Sequence, residues 1–252
     1  MSDRIRAMGA PHWLALFGLI LGAWAVLYIM AVPWDLRVAA RVYGTEFWQT
    51  YCTLTPDAAG FARIVSMWAL MSAAMMLPTA LPALATYDDL SHAGAEARPG
   101  VLAAGYIAVW LGFSVLAAGL QFVLSQAGVI DPLGQSTVRA FSGALLLVAG
   151  LYQMSPMKAA CLDKCRQPLT FFMSHWDAGP WRNGLRLGLV CLGCCWALML
   201  LAFVGGMMNL VFMGLATLVM VLEKLPQVGR YVTLPLGVGL CVAAPLVGLG
   251  LI

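Results

Sequence analysis

The sequence predicts an all-α membrane protein, a polytopic bundle of about seven transmembrane helices. The first observation is composition: 62% of the 252 residues are apolar and only 10% are charged, whereas soluble domains average about 25% charged residues. The second is that apolar residues gather in long runs, as membrane spans of about 20 residues require. A single soluble core cannot bury this much apolar surface, so the chain needs a lipid bilayer as its solvent.

Apolar runs define the predicted spans in order along the chain. The first run has 19 residues, longer than the apolar part of a signal peptide, which has about 7–15, so we predict an uncleaved span. The uncharged run 187–222 would form a helix about 54 Å long, and we divide it at Gly205-Gly206, where a tight reversal is favoured. The single predicted domain, 1–252, has a cytoplasmic loop at 155–186 and spans at 14–32, 64–85, 101–124, 138–154, 187–204, 207–222 and 232–251.

The distribution of charge predicts a cytoplasmic N-terminus. With that orientation, ten Lys and Arg residues fall on cytoplasmic segments and four on outer segments, as the positive-inside rule requires. Every charged residue falls in a loop or at the end of a span, which argues against a proton relay of buried carboxylates. Basic residues form no run of the kind that binds nucleic acid, so we expect no nucleic-acid partner.

A row of methionines marks the second span. Met67, Met71 and Met75 are four residues apart, so they lie along one face of a helix. Thioether sulfur is a soft ligand that suits Cu(I), but methionine is also a flexible residue that fills gaps in cores. Both interpretations stay open for this row.

The fifth span carries a cluster of cysteines. Cys191, Cys194 and Cys195 lie within five residues, and Cys191, Cys195 and Met199 again step by four along one helix face. Thiolates are strong ligands for soft metals. The alternative is that these cysteines are small apolar residues at a helix interface.

Two further methionines, Met207 and Met208, follow the predicted reversal at the outer end of this span. Together with the second and fifth spans, they predict a column of soft ligands through the bundle. Thioethers would lie towards the outside and thiols towards the inside.

The loop 155–186 contributes three more candidate ligands at the inner end of that column. Cys161 and Cys165 are four residues apart, and both sulfurs would share a face if this segment is helical. His175 would complete a three-ligand site with them, because imidazole suits copper and zinc. Alternatively, His175 and Trp176 anchor the loop at the membrane interface.

Three segments in this order resemble a bacterial family of unknown function, described as predicted metal-binding integral membrane proteins. They are WALMSAAMMLP in the second span, the loop from SPMK through CLDKC to FFMSHW, and the series RNGLRLG, CLGCCW, FVGGMMN and EKL. Together they cover residues 63–225. The resemblance implies a metal-handling protein of the bacterial cytoplasmic (inner) membrane, and it assigns no catalytic residue.

We therefore predict a multi-pass protein that binds Cu(I) through Met and Cys ligands and transports or delivers it. Zinc is disfavoured as the metal because methionine is a poor zinc ligand. The expected partners are the lipid bilayer and a cuproenzyme or another subunit of a membrane complex. Two alternatives stay open: a non-catalytic structural or assembly subunit, and a thiol oxidoreductase that would use Cys161 and Cys165.

Overall fold

Helices make up nearly all of the structure. The computed structural model describes residues 11–31, 57–92, 98–131, 134–207 and 209–251. Within these ranges there is no β-strand, only one bridge between Ile130 and Ser136, so the all-α prediction is confirmed. The α-helices are, in chain order, α1 (Pro11–Ala31), α2 (Ala58–His92), α3 (Pro99–Gln126), α4 (Arg139–Gln153), α5 (Pro156–Arg166), α6 (Pro168–Met173), α7 (Gly179–Leu200), α8 (Ala202–Gly205), α9 (Leu210–Lys224) and α10 (Gly229–Gly248).

Five helical stretches in the described ranges are long and apolar enough to cross a membrane, and a sixth results if α4 and α5, bent by 60°, form one span. The apolar helix α9 has 15 residues and would be about 22 Å long, shorter than a hydrocarbon core of about 30 Å. Each predicted apolar segment nevertheless contains a helix. The protein is a multi-pass membrane bundle, while seven spans and a cytoplasmic N-terminus stay predictions.

Helix α2 lies at the centre and packs against α1, α3 and α9. Because Pro78 lacks a backbone N–H, the carbonyl oxygen of Ala74 loses its helical partner. Trp24 of α1 donates its indole N–H to that oxygen at 2.9 Å. At the other end of α1, the Trp13 indole donates to the buried carboxylate of Asp88 at 2.8 Å. These two bonds hold α1 along the length of α2.

Close contact between α3 and α7 depends on two glycines. A Cβ added to Gly184 would lie 2.2 Å from the carbonyl oxygen of Leu102, and a Cβ added to Gly105 would lie 2.6 Å from the carbonyl oxygen of Trp181. Small residues of this kind allow helix backbones to touch inside a membrane. The contact matters for the site because α7 carries the clustered cysteines.

The segment 155–186, predicted as a loop, is folded into α5, α6, a 3-10 turn at Trp176–Ala178 and the start of α7. Ser155 caps α5 by accepting the backbone N–H of Lys158 at 3.2 Å. Tyr87, near the end of α2, packs against Phe172 and Trp176, with ring centroids 5.0 and 5.4 Å away. We call this end of the bundle, where α6 covers α2 and α5 packs against α7, the α5–α6 end.

The long uncharged run divides where the sequence predicts a reversal. Helix α8 ends at Gly205, and Gly206 has a φ of 89°, a left-handed conformation that side chains with a Cβ rarely adopt. Asn209 then caps α9, because its side-chain oxygen accepts the N–H of Phe212 at 3.1 Å. The run therefore forms two helical segments joined by a turn.

Candidate metal centre

Three cysteines of α7 form a thiol cluster in the interior of the bundle. The Sγ atoms of Cys191, Cys194 and Cys195 all lie within 4.8 Å of one another, and each residue is at most 2% exposed. Positions i, i+3 and i+4 are neighbours on a helix surface, so the local sequence alone brings them together. All are free thiols, with Cys194 Sγ 3.2 Å from Cys195 Sγ and 3.0 Å from the Cys191 carbonyl oxygen.

Polar groups from three other helices converge on the Cys191 sulfur. The ammonium nitrogen of Lys224 on α9 lies 3.0 Å from it and the Tyr106 hydroxyl on α3 lies 3.1 Å from it. Thr79 of α2 lies 4.0 Å from the same sulfur and accepts a hydrogen bond from Lys224 at 2.6 Å. Tyr106 also donates to the carbonyl oxygen of Met76 at 3.0 Å. The thiol cluster is therefore joined to α2, α3 and α9.

Some charged side chains at the ends of helices are buried in the bundle, which the sequence did not predict. Lys158 and Glu223 are at most 1% exposed, and Lys224 is 9% exposed. Lys158 donates to Glu223 at 2.8 Å, and Gln153 hydrogen-bonds to both. Arg166 donates twice to the Glu223 carbonyl oxygen, at 2.9 and 2.8 Å. This buried network fastens α5 to α4 and α9.

Docking of α5 brings one more thiol, that of Cys165, beside the cluster and a second, that of Cys161, against the α7 backbone. A Cβ added to Gly193 would lie 2.7 Å from Cys161 Sγ, so the Cys161 thiol rests on the α7 backbone. Cys165 lies beside Cys194 and, with Cys191 and other residues, lines a small cavity of about 20 Å³. The sequence predicted both cysteines in a loop at the mouth of the column of soft ligands. In the structure they lie on a helix that packs against α7.

The predicted methionine ligands are all buried where the structure describes them. Met208 lies outside the described residues. The other five predicted methionines are each at most 8% exposed, so none of these five faces lipid. They are Met67, Met71, Met75, Met199 and Met207.

Two contacts define how α2 lies beside α7. The rings of Trp68 and Phe203 have centroids 5.6 Å apart, and Thr79 lies 4.0 Å from Cys191. Going from the first contact to the second, the chain advances eleven residues along α2, from Trp68 to Thr79. Over the same interval it goes back twelve residues along the α7–α8 segment, from Phe203 to Cys191. The two segments are therefore antiparallel and aligned over about three helical turns.

Met207 lies at the far end of this alignment. Its sulfur and the amide nitrogen of Gln121 both lie close to Gly134, and Gln121 accepts the indole N–H of Trp68 at 2.8 Å. The Met207 thioether therefore lies near the level of Met67, the first residue of the methionine row on α2.

His175 is not brought to the thiols. Its Nδ1 atom lies 3.0 Å from the carbonyl oxygen of Phe171 and 2.9 Å from the Ser174 hydroxyl. Its ring packs on the Phe171 ring, with centroids 5.3 Å apart. Within the described residues, the group able to hold a metal contains the three α7 cysteines and no histidine. The position of His175 fits the alternative role, an anchor near Trp176.

Lys224 is the main part of the site that sequence reasoning missed, although a signal was present. The buried residues of α9 include Met213, Thr217, Met220 and Lys224, which follow one another by four, three and four positions. That spacing defines a single helix face. A lysine in register with the buried face of an apolar helix indicates a charge directed into the bundle, even where it is the last residue of that helix.

A family model described as a copper chaperone, PpoB2, matches residues 65–247, which is well over half of the chain. The chain belongs to this copper chaperone family. The match begins within α2 and extends into α10, leaving α1 outside. It agrees with the resemblance to metal-binding membrane proteins. No curated protein and no solved structure matches the chain. Family membership and the buried thiols together describe a metal-binding membrane protein.

We expect Lys158→Met to lower the free energy of unfolding by about 3–5 kcal/mol, because removing one partner leaves a buried charge uncompensated. The double variant Lys158→Met/Glu223→Gln should recover more than half of that loss. Thermal unfolding in detergent measures both effects, with the exposed Lys164→Met on the same helix as the control. A double variant no more stable than Lys158→Met would show that the uncompensated charge of Glu223 does not cause the loss of stability.

Proposed function

We propose that the protein binds Cu(I) at the thiol cluster and transfers it by ligand exchange along a row of buried sulfur atoms, to or from a cuproenzyme partner. One observation carries the proposal: three free thiols and the Lys224 ammonium meet inside an apolar bundle, with Lys224 Nζ 3.0 Å from Cys191 Sγ. Copper is the cargo of this site, and the chain supplies the ligands.

The donor set favours copper over zinc. Thiolates and thioethers are soft ligands that suit Cu(I), whereas zinc takes combinations of Cys, His and carboxylate ligands. No His, Asp or Glu of the described residues joins the cluster. Beyond the cluster, the further candidate ligands are the methionines of α2 and α7 and the cysteines of α5, which all bind through sulfur.

Lys224 supports metal binding because of its charge. A buried ammonium needs an anion close by, and the adjacent carboxylate, Glu223, already pairs with Lys158 at 2.8 Å. The Cys191 thiolate is the anion that the contact geometry offers. Thiolate is also the form of cysteine that binds metals, so the lysine favours the state of the site that accepts Cu(I).

The alignment of α2 with α7 supports the row of sulfur ligands. Both helices rise by about 1.5 Å per residue, so counting from the two contacts between them brings Met75 level with Cys195. The same count brings Met71 level with Met199. All four side chains are at most 2% exposed. A metal ion leaving the cluster in this direction would meet thioethers on both helices.

Cys161 and Cys165 support a second path, towards the α5–α6 end. Cys165 lies beside Cys194, so Cu(I) could exchange onto it directly. Cys161 rests on the α7 backbone at Gly193, one turn before Cys165 on the same helix. Both thiols are partly exposed, so the alternative of a thiol oxidoreductase, which requires an accessible thiol pair, stays open.

We further propose that the protein lies in the bacterial cytoplasmic membrane with the α5–α6 end in the cytoplasm. The distribution of ten against four basic residues supports this orientation. The partner would then be a membrane-bound or outward-facing cuproenzyme.

Protein purified from copper-supplied cells should contain about one copper per chain, and Cys191→Ser/Cys194→Ser/Cys195→Ser should lose at least nine-tenths of it, because hydroxyls are poor ligands for soft metals. Elemental analysis after detergent purification measures the content. Cys241→Ser on α10, which changes a free cysteine outside the cluster, is the matched control and should retain copper. Undiminished copper in the triple variant would end the proposal. A metal-free protein purified in fixed ratio with other subunits would favour a structural role.

Lys224→Met should weaken Cu(I) binding about tenfold or more, because a hydrogen bond to a charged group contributes about 1.5–3 kcal/mol and 1.4 kcal/mol is a factor of ten. Competition against a chromogenic Cu(I) chelator gives the affinity. Lys224→Arg keeps the charge and should restore part of the binding, whereas the exposed Lys164→Met should change nothing. Equal Cu(I) affinities for Lys224→Met and wild type would show that Lys224 does not contribute to copper binding.

A further inference from the structure

A groove of about 680 Å³ opens on the surface between α5, α6 and the first half of α7. Its volume lies in the range of small-molecule sites, about 300–1,000 Å³. Among the residues that line it are Asp163, Lys164, Thr170, Ser174, Arg186 and Leu189. None of the thiols of the metal centre lines the groove.

The groove crosses the boundary between the polar and the apolar surface of the bundle. Arg186 is the last charged residue before an uncharged run that continues to Leu222. Leu189, less than one turn further along α7, is 58% exposed on a helix that is apolar enough to span a membrane. One side of the groove is therefore cationic and the other is of the kind that contacts acyl chains.

Two cations of the groove are available to a ligand. In the described part of the chain, neither Lys164 nor Arg186 makes an ion pair, whereas the one lining carboxylate, Asp163, pairs with Arg166 at 3.7 Å. The Thr170 and Ser174 hydroxyls donate to backbone oxygens and keep lone pairs that water or a head-group hydroxyl can use. The unpaired charge of the groove is positive.

We propose that this groove binds one anionic phospholipid, with its phosphate between Lys164 and Arg186 and an acyl chain along Leu189. Basic pockets at the cytoplasmic end of membrane helices bind acidic head groups, and a lipid also supplies the apolar part that a free phosphate lacks. The lipid would lie against both α5 and α7, the helices that carry the thiols. The inference rests on the proposed cytoplasmic position of the α5–α6 end but not on the metal, so it can fail or stand independently of copper binding.

The experiment is native mass spectrometry of the full-length protein in nanodiscs containing equal amounts of phosphatidylglycerol and phosphatidylcholine. The wild type should retain phosphatidylglycerol at least tenfold in excess. Lys164→Gln/Arg186→Gln should reduce that excess to near unity. Arg182→Gln, an exposed arginine one turn before Arg186 and outside the groove, should leave it unchanged.

Equal retention of the two lipids by the wild type would overturn the proposal, as would an undiminished excess in the double variant. A separate arm adds inorganic phosphate or glycerol 3-phosphate to the detergent-solubilised protein. Displacement of the lipid by either anion at matched concentration would show that the groove binds soluble phosphate rather than lipid. Thermal unfolding of the double variant, expected to match wild type in detergent because both positions are exposed, confirms that the fold is intact.

Discussion

The contact between the Lys224 ammonium and the Cys191 sulfur is the constraint on which the centre of this structure depends. An ammonium removed from water requires hydrogen-bond acceptors, and in this bundle Thr79 and Cys191 accept from it. Those two residues belong to α2 and α7, so satisfying one side chain of α9 fixes the relative position of three helices. The thiol cluster lies where they meet.

Glu223 and Lys224 are adjacent in sequence but belong to separate networks. Glu223 pairs with Lys158 and so holds α5 against the bundle, while Lys224 points to the thiols of α7. Because both groups are buried, their electrostatic interactions are stronger than they would be in water. The end of α9 therefore joins the metal centre to the helix that carries Cys161 and Cys165. Metal occupancy and the docking of α5 are expected to influence one another through these two residues.

Hydropathy, glycine positions and ligand spacing predicted much of this molecule. The apolar runs contain helices, the run 187–222 reverses at Gly206, and the cysteines of α7 are buried together. These features are local, because a run, a turn or an i, i+4 spacing is defined by one stretch of chain. The burial of Met71 and Met75 also agrees with the sequence pattern.

Features that depend on contacts between distant segments were not predicted. A lysine at the end of an apolar run resembles a solvated boundary. Its register on the buried face of α9 indicates burial but does not reveal its partners on α2 and α7. Residues 155–186 are too polar to be recognised as part of the bundle, yet Lys158 is buried through its pairing with Glu223. His175 resembled a metal ligand by residue type alone, and its place beside Phe171 depends on how α6 packs.

The measurement closest to the central claim is X-ray absorption at the copper K edge on anaerobically purified, copper-loaded protein. We predict a Cu(I) edge and a first coordination shell of sulfur alone, with the number of sulfur neighbours reduced in Cys191→Ser. A shell dominated by nitrogen or oxygen, or a sulfur shell unchanged in that variant, would contradict the assignment of the thiol cluster as the copper site.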